Sequence, residues 1–278
     1  MSGAAASEGA ESDPASAPAR PHPPLPPHEL RVLVGATADE LYDNPTGEPL
    51  RGLQPEAFDF VLDWGCGCGR LARQMMLQRE PPRRYLGVDL HRGMVRWCRE
   101  HLAPCAPGFE FVHQDVRNGG LNPQGTAQVL PLPAADGTVS LVLGVSVFTH
   151  VLESAATFYL GEVARVLRPG GVAMTTWFLF DKVDFPMMQE SQNALFVNDV
   201  DPTNAVIYDR GWLRRTLREK GLAVWRVDQP EVRGFQWRVF LAPLGERPEV
   251  ELPADAAAPG VRRPPPMPPG AAQLGTEG

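Results

Sequence analysis

The sequence predicts an α/β domain built on a mostly parallel sheet with helices on both faces. Three observations predict it. Short apolar runs alternate with longer amphipathic ones between residues 58 and 241, the run at 139–147 is long and rich in β-branched residues, and the first run stops at a glycine cluster. Strands alternating with helices imply crossover units, and a continuous apolar run suits a strand buried on both faces.

In chain order, residues 58–64 read as the first strand and 71–77 as a helix with Leu71 and Met75 on one side. Residues 85–88 are a second strand ended by Asp89, 94–102 a helix, and 109–112 a third strand ended by His113, Gln114 and Asp115. The fourth strand covers 139–147. A helix follows over 158–167, where Phe158, Leu160, Val163, Ala164 and Leu167 fall near helical spacing, and Pro169-Gly170-Gly171 stops it. Residues 172–180 form the fifth strand, and 212–220 the last helix with Gly221 at its C-terminal stop. The runs 222–227 and 235–241 have no helix between them, so one of that pair should run antiparallel. Residues 181–209 exceed an ordinary strand–helix connection. Their mixture of Phe, Met, Gln, Asn and Asp reads equally as a cover over a ligand or as an extra packed helix and loop.

Seven of the 30 prolines fall in residues 1–28 and nine in 243–278, among Ala, Gly, Ser, Glu and Arg with almost no aromatics. Such segments bury too little apolar surface to offset the entropy of ordering them. Both are expected to be disordered tails around a single domain at 29–242, with 181–209 as its substrate-covering insertion. The net charge is -7 and the pI about 5.4, which favours solubility and weighs against tight phosphate-backbone binding, so nucleic acid is not the expected partner. No apolar run approaches the ~20 residues needed to span a bilayer, and the N-terminus lacks the regions of a secretory signal. A cytoplasmic protein without a membrane partner is expected. Cys66, Cys68, Cys98 and Cys105 form no C-x-x-C pair and read as reduced thiols serving as small apolar residues.

The chemistry is concentrated after the strand ends. Asp63 is followed by Gly65-x-Gly67-x-Gly69 and then a helix, an arrangement that turns sharply and brings backbone close to an adenine-containing ligand. The dinucleotide fingerprint is G-x-G-x-x-G, and Arg70 stands where its last glycine would be. Asp63 would be a poor neighbour for a pyrophosphate but suits a ligand with an ammonium group. Asp89 lies 20 residues after Gly69, where an acid accepts hydrogen bonds from ribose hydroxyls; alone it fits a nicotinamide enzyme equally well. Asp115 is placed to take an adenine amino group while the Val116 amide reaches a ring nitrogen.

Together these pieces resemble the class I S-adenosylmethionine-dependent methyltransferases. The resemblance spans about 55–242 and rests on residues 61–69, Val88-Asp89, Gln114-Asp115, the strand at 139–147 and the Leu167-Arg168-Pro169-Gly170-Gly171 turn. It implies a Rossmann-like seven-stranded sheet ordered 3-2-1-4-5-7-6 with strand 7 antiparallel, and S-adenosyl-L-methionine as cofactor. It further implies Asp63, Gly65 and Gly67 along the methionine moiety with Cys66 between them, and Asp89 with Leu90 at the ribose. Asp115 and Val116 would lie at adenine and Val145 near the methyl-bearing sulfur. Phe148-Thr149-His150 is similar to the small-molecule branch, some of whose members accompany sugar or natural-product pathways.

For a metal-free transfer to an O or N acceptor, the enzyme's main task is in-line positioning, with a general base needed only for a hydroxyl or protonated amine. His150 is the first candidate base. Asp181 and Asp184 follow the fifth strand and are further candidates, whereas Tyr208, Asp209 and His113 read as surface, capping or structural residues. Trp177, Phe178, Phe185, Met187 and Met188 would line an acceptor pocket or simply pack. No Asn-Pro-Pro-Tyr-like segment follows the fourth strand, which argues against methylation of flipped bases. Metal-dependent catechol chemistry needs clustered acids that the sequence does not present. The competing readings are an NAD-dependent oxidoreductase and a catalytically inactive, methyltransferase-like binding subunit.

Overall fold

The computed structural model describes residues 21–44, 50–198, 200–230 and 235–254. Its centre is a parallel array of five strands. These are β1 (Phe60–Trp64), β2 (Arg84–Asp89), β3 (Phe109–His113), β4 (Val139–Gly144) and β5 (Leu167–Phe180), hydrogen-bonded in the order β3-β2-β1-β4-β5. Alternate side chains of β1 enter separate cores, Leu62 and Trp64 one and Val61 the other, which is why the strand reads as continuously apolar. Helices α3 (Arg70–Met76) and α4 (Arg92–His101) contribute Leu71, Ala72, Met75, Val95 and Cys98 to the core that contains Val61. Helices α5 (Glu153–Val166) and α6 (Arg210–Glu219) contribute Ala156, Leu160, Val163, Leu213 and Leu217 to the other.

The last two strands, β8 (Leu222–Asp228) and β9 (Trp237–Pro243), complete the sheet as expected, with β9 antiparallel to both β5 and β8. In order of position the core sheet is therefore 3-2-1-4-5-7-6, β9 being its seventh strand and β8 its sixth. Two strands go beyond that expectation. β6 (Ala194–Phe196) and β7 (Val206–Asp209) pair antiparallel, and β7 runs parallel to the end of β5 through Phe178, Leu179 and Phe180. They lie within the 181–209 insertion, so part of it extends the sheet. The fifth strand also starts earlier than the glycines suggest. Leu167 already pairs with Val139, and the Pro169-Gly170-Gly171 turn bulges out before Val172 pairs with Leu141.

Packed chain extends beyond 29–242. Arg73, almost fully buried in α3, donates to the carbonyls of Pro23 (2.9 Å) and Tyr42 (3.0 Å) and pairs with Asp43. It thereby straps down α1 (His28–Leu33) and α2 (Glu40–Asp43). At the other end the Val250 amide bonds the Val224 carbonyl and Leu252 is buried in the core. Of the tails expected at 1–28 and 243–278, residues 1–20 and 255–278 lie outside the described residues.

Candidate active site

The glycine loop sits where it does because β1 stops against the end of β2. The amides of Gly65 and Cys66 both donate to the Val88 carbonyl, at 2.7 and 3.1 Å. Gly65, Gly67 and Gly69 all have left-handed φ, at 80°, 55° and 79°. Two of them also face close side chains: a Cβ on Gly65 would come within 2.3 Å of Val147 Cγ2, and one on Gly69 within 2.3 Å of Leu102 Cδ1, so either neighbour would have to shift. The loop therefore nests against the segment after β4 on one side and α4 on the other, a constraint no local pattern announces.

Below the loop lies a cavity of about 670 Å3. Asp63, Gly65, Cys66, Gly67, Asp89, Leu90, Val116, Val145 and His150 all line it, so nine of the expected site residues converge on one space. Asp63 is buried and accepts the Tyr85 hydroxyl; burial pushes its carboxyl up to about 7, against the pull of that hydrogen bond and with a further push from Asp89. Asp89 accepts the Gly67 amide at 2.8 Å and the His91 amide at 2.7 Å, and burial raises its carboxyl too. A carboxylate has about four lone-pair sites, so two remain for a ligand. Cys66 and Cys98 are buried free thiols, both directed to the Gly67 carbonyl at 3.7 Å, and burial raises both. Cys98 packs in the core behind the loop, whereas Cys66 also lines the cavity.

Two expected site residues do not line the cavity. Asp115 directs its carboxylate into its own loop, accepting from Asn122 Nδ2 (3.1 Å) and Thr126 Oγ1 (2.9 Å), and these hydrogen bonds hold it below the usual carboxylate range. The Val116 amide is likewise engaged, donating to the Gln114 carbonyl at 2.8 Å. The wall at this end is instead lined by Leu90, Met94, Gln114 and Val116. Asp181 faces α6, where it pairs with the buried Arg210 at 3.0 Å. Among the other candidates, Asp209 caps α6 through the Trp212 amide (2.8 Å), and His113 Nε2 bonds the Leu90 carbonyl (3.0 Å). Trp177 belongs to the core, stacked on Phe148 at 4.2 Å and edge-on to Tyr208 at 5.4 Å. Neither it nor Phe178, Phe185, Met187 or Met188 lines the cavity.

The far wall is built after β4. Ser146 has a φ of 56°, alone among the described non-glycine residues in that region. Its amide donates to Thr176 Oγ1 at 2.7 Å, and its hydroxyl to Gln236 Oε1 at 3.0 Å. His150 Nδ1 lies 3.0 Å from the Thr203 carbonyl. Since a carbonyl only accepts, Nδ1 carries the proton, and in the neutral ring Nε2 then carries the lone pair. Asp201, Thr203 and Asn204 of the insertion also line the cavity, so another part of 181–209 borders it. Sequence reasoning missed Leu33, Val34 and Gly35, which close the cavity from the N-terminal strap, and Gln236, which reaches it from the start of β9. The strap was hidden by its proline-rich surroundings, and Gln236 carried no signal at all.

A family model described as a methyltransferase domain matches residues 61–171. The chain is 34% identical over 183 residues to a phthiotriol/phenolphthiotriol dimycocerosates methyltransferase of Mycobacterium ulcerans, covering 60% of each protein. It is 37% identical over 116 residues to a fatty-acid O-methyltransferase of Mycolicibacterium smegmatis, covering 42% of this chain and 36% of that protein. The chain thus spans less than two thirds of the length of these relatives. Among solved structures, a chain of the complex between the Haloferax volcanii Trm112 methyltransferase activator and a putative methyltransferase aligns with a TM-score of 0.53 and 17% identity, over 78% of this chain and 94% of that one. A Leishmania major SAM-dependent methyltransferase aligns with a TM-score of 0.53 and 12% identity, over 77% of each chain. At these identities the likeness is one of fold.

Proposed function

We propose that this chain is a class I S-adenosylmethionine-dependent methyltransferase that methylates an oxygen of a small, partly apolar molecule, a reading supported by the methyltransferase-domain match over residues 61–171 and by the sheet order. The observation that carries the reading is the convergence of Asp63, the glycine loop and Asp89 on the same cavity as His150. The cradle fits S-adenosylmethionine on its own terms. Gly67 has left-handed φ and lines the cavity, and a Cβ there would crowd Val34 at 3.0 Å, so the glycine lets the loop backbone run close along the cavity wall. When bound, S-adenosylmethionine supplies a methyl group whose carbon–sulfur bond breaks, both electrons staying on sulfur, as the acceptor oxygen bonds the carbon.

Asp63 holds the ammonium of the cofactor's methionine end, with Gly65, Cys66 and Gly67 along it. Asp89 receives the ribose hydroxyls beside Leu90, and Val116 packs on the adenine. Val145 borders the reacting centre. His150 takes the proton of an acceptor hydroxyl at Nε2 while the Thr203 carbonyl keeps the ring in that tautomer. Asp115 and Asp181 serve architecture, ordering the 115–127 loop and anchoring α6. Holding reactants in line is worth about 7–11 kcal/mol of barrier, and burial away from water adds to it as the cationic charge disperses.

An oxygen acceptor with an apolar portion is supported by the relatives' names and by Leu33 and Leu152, half-exposed apolar side chains on the cavity's wall. Calorimetry tests the cofactor: S-adenosylhomocysteine should bind and NAD should not, and the reverse result would make the protein a nicotinamide enzyme. Transfer of labelled methyl from S-adenosylmethionine to fatty acids, hydroxylated lipids, sugars and amines tests the acceptor. Label in amines alone would overturn the oxygen assignment. Cofactor binding with no transfer to any of these would favour a binding subunit.

A further inference from the structure

We infer that the side-chain amide of Gln236 recognises the acceptor, and that the acceptor presents a carbonyl or carboxylate oxygen to it. The inference rests on the methyltransferase reading of this cavity and adds the chemistry of the second substrate. Gln236 stands just before β9 and shares the cavity wall with Ser146 and His150. Its orientation is fixed by a chain of donors. Thr176 Oγ1 accepts the Ser146 amide, so its own proton turns to Gln236 Oε1, which also takes the Ser146 hydroxyl. With the carbonyl end held against the protein, the Nε2 group is the free end, and it makes no hydrogen bond among the described residues.

A carboxamide Nε2 donates two hydrogen bonds and accepts none. On a cavity wall it therefore favours an oxygen with exposed lone pairs and gains nothing from an ammonium. The left-handed backbone of Ser146 has its purpose in this arrangement. It is an unfavourable conformation for a side-chain-bearing residue, kept only where neighbours over-determine it, and Thr176 and Gln236 are those neighbours. The same turn places Val145 and Ser146 together on the cavity wall, so the donor that reads the acceptor and the border of the reacting centre are built as one unit.

Paired probes of equal length test this: dodecanoate and dodecylamine, titrated calorimetrically into protein saturated with S-adenosylhomocysteine. Dodecanoate should bind at least about tenfold more tightly, the scale of a hydrogen bond to a charged group. Gln236→Glu keeps the shape and replaces the donor by an acceptor. It should weaken dodecanoate at least about tenfold while S-adenosylhomocysteine affinity stays within about twofold. Gln236→Leu should weaken dodecanoate in the same direction and serves if the Glu variant does not fold. Equal binding of the two probes, binding of neither, or variants that retain wild-type dodecanoate affinity would each overturn the inference. Failure of S-adenosylhomocysteine to bind the wild-type protein is a different result, which overturns the methyltransferase reading and this inference with it.

Discussion

Two buried carboxylates face one cavity, and each makes its own prediction. Asp63 has a folded pKa of about 7, raised by burial above the unfolded value of about 4. Its contribution to the stability of the ligand-free protein is therefore complete below about pH 4 and is lost as pH rises to about 7. An ammonium bound against it reverses the preference, so ligand uptake expels the proton. Affinity for S-adenosylhomocysteine should fall below about pH 7, by up to tenfold per pH unit, and Asp63→Asn should flatten the profile. Calorimetry across pH 5.5–8 (about the range of ordinary buffers) reads this directly, and equal slopes for both proteins would remove Asp63 from the ammonium role. Asp89→Ala should weaken the same ligand by ~1–3 kcal/mol, the scale of lost charged hydrogen bonds. Unchanged affinity would take the ribose away from it. His150→Ala should lower turnover by about 10²–10⁴-fold with little change in cofactor affinity, the usual contribution of a general base. Turnover that survives would leave His150 as a tie between the post-β4 turn and the Thr203 carbonyl.

At the scale of elements, the glycine loop is held by what packs on it rather than by its own sequence. Gly65 and Gly170 share left-handed φ values of 80° and 74°, but only Gly65 would place a Cβ against another side chain. Gly65→Ala and Gly170→Ala should both incur about 1–2 kcal/mol of backbone strain. Only Gly65→Ala should also push Val147 away and disturb the wall that carries Ser146 and His150. Melting curves should drop for both variants, whereas S-adenosylhomocysteine affinity should drop for Gly65→Ala alone. Loss of affinity in Gly170→Ala would mean that the strain itself, and not the contact with Val147, governs the site. Arg73 shows the same dependence between elements: one buried guanidinium in α3 fixes the strap that brings Leu33, Val34 and Gly35 over the cavity.

Across the whole molecule, an aromatic column links β1 to the insertion. Trp64 meets Phe148 at 5.2 Å, Phe148 stacks on Trp177, Trp177 meets Tyr208, and Tyr208 stacks on Trp212 at 4.8 Å. Trp177 is fully buried at its middle, with its indole N–H donating to Thr175 Oγ1. Trp177→Ala should destabilise the fold by about 3–5 kcal/mol, a large share of a domain's ordinary 5–15 kcal/mol. Urea unfolding followed by circular dichroism measures it. A loss under about 1 kcal/mol would show that the column is not a principal support.

The sequence alone determined the element sequence, which depends on local quantities, whereas the sheet order and the residues expected at the cofactor were what its resemblance to the class I methyltransferases implied. Strand runs, helical spacing and left-handed glycines are written into neighbouring residues, and Asp63, Asp89 and Val145 end strands whose ends all face one way. Asp115 was misdirected because its position after β3 is local, whereas the turn that captures its carboxylate depends on Asn122 and Thr126 folding back. Asp181 was misdirected because Arg210 reaches it from α6, 29 residues further on. The strap, the β5–β7 pairing and the Gln236 wall are contacts between segments distant in sequence, so no local pattern announces them. Tertiary structure thus decided the cavity wall that carries Ser146, His150 and Gln236, whose residues come from segments far apart in the chain.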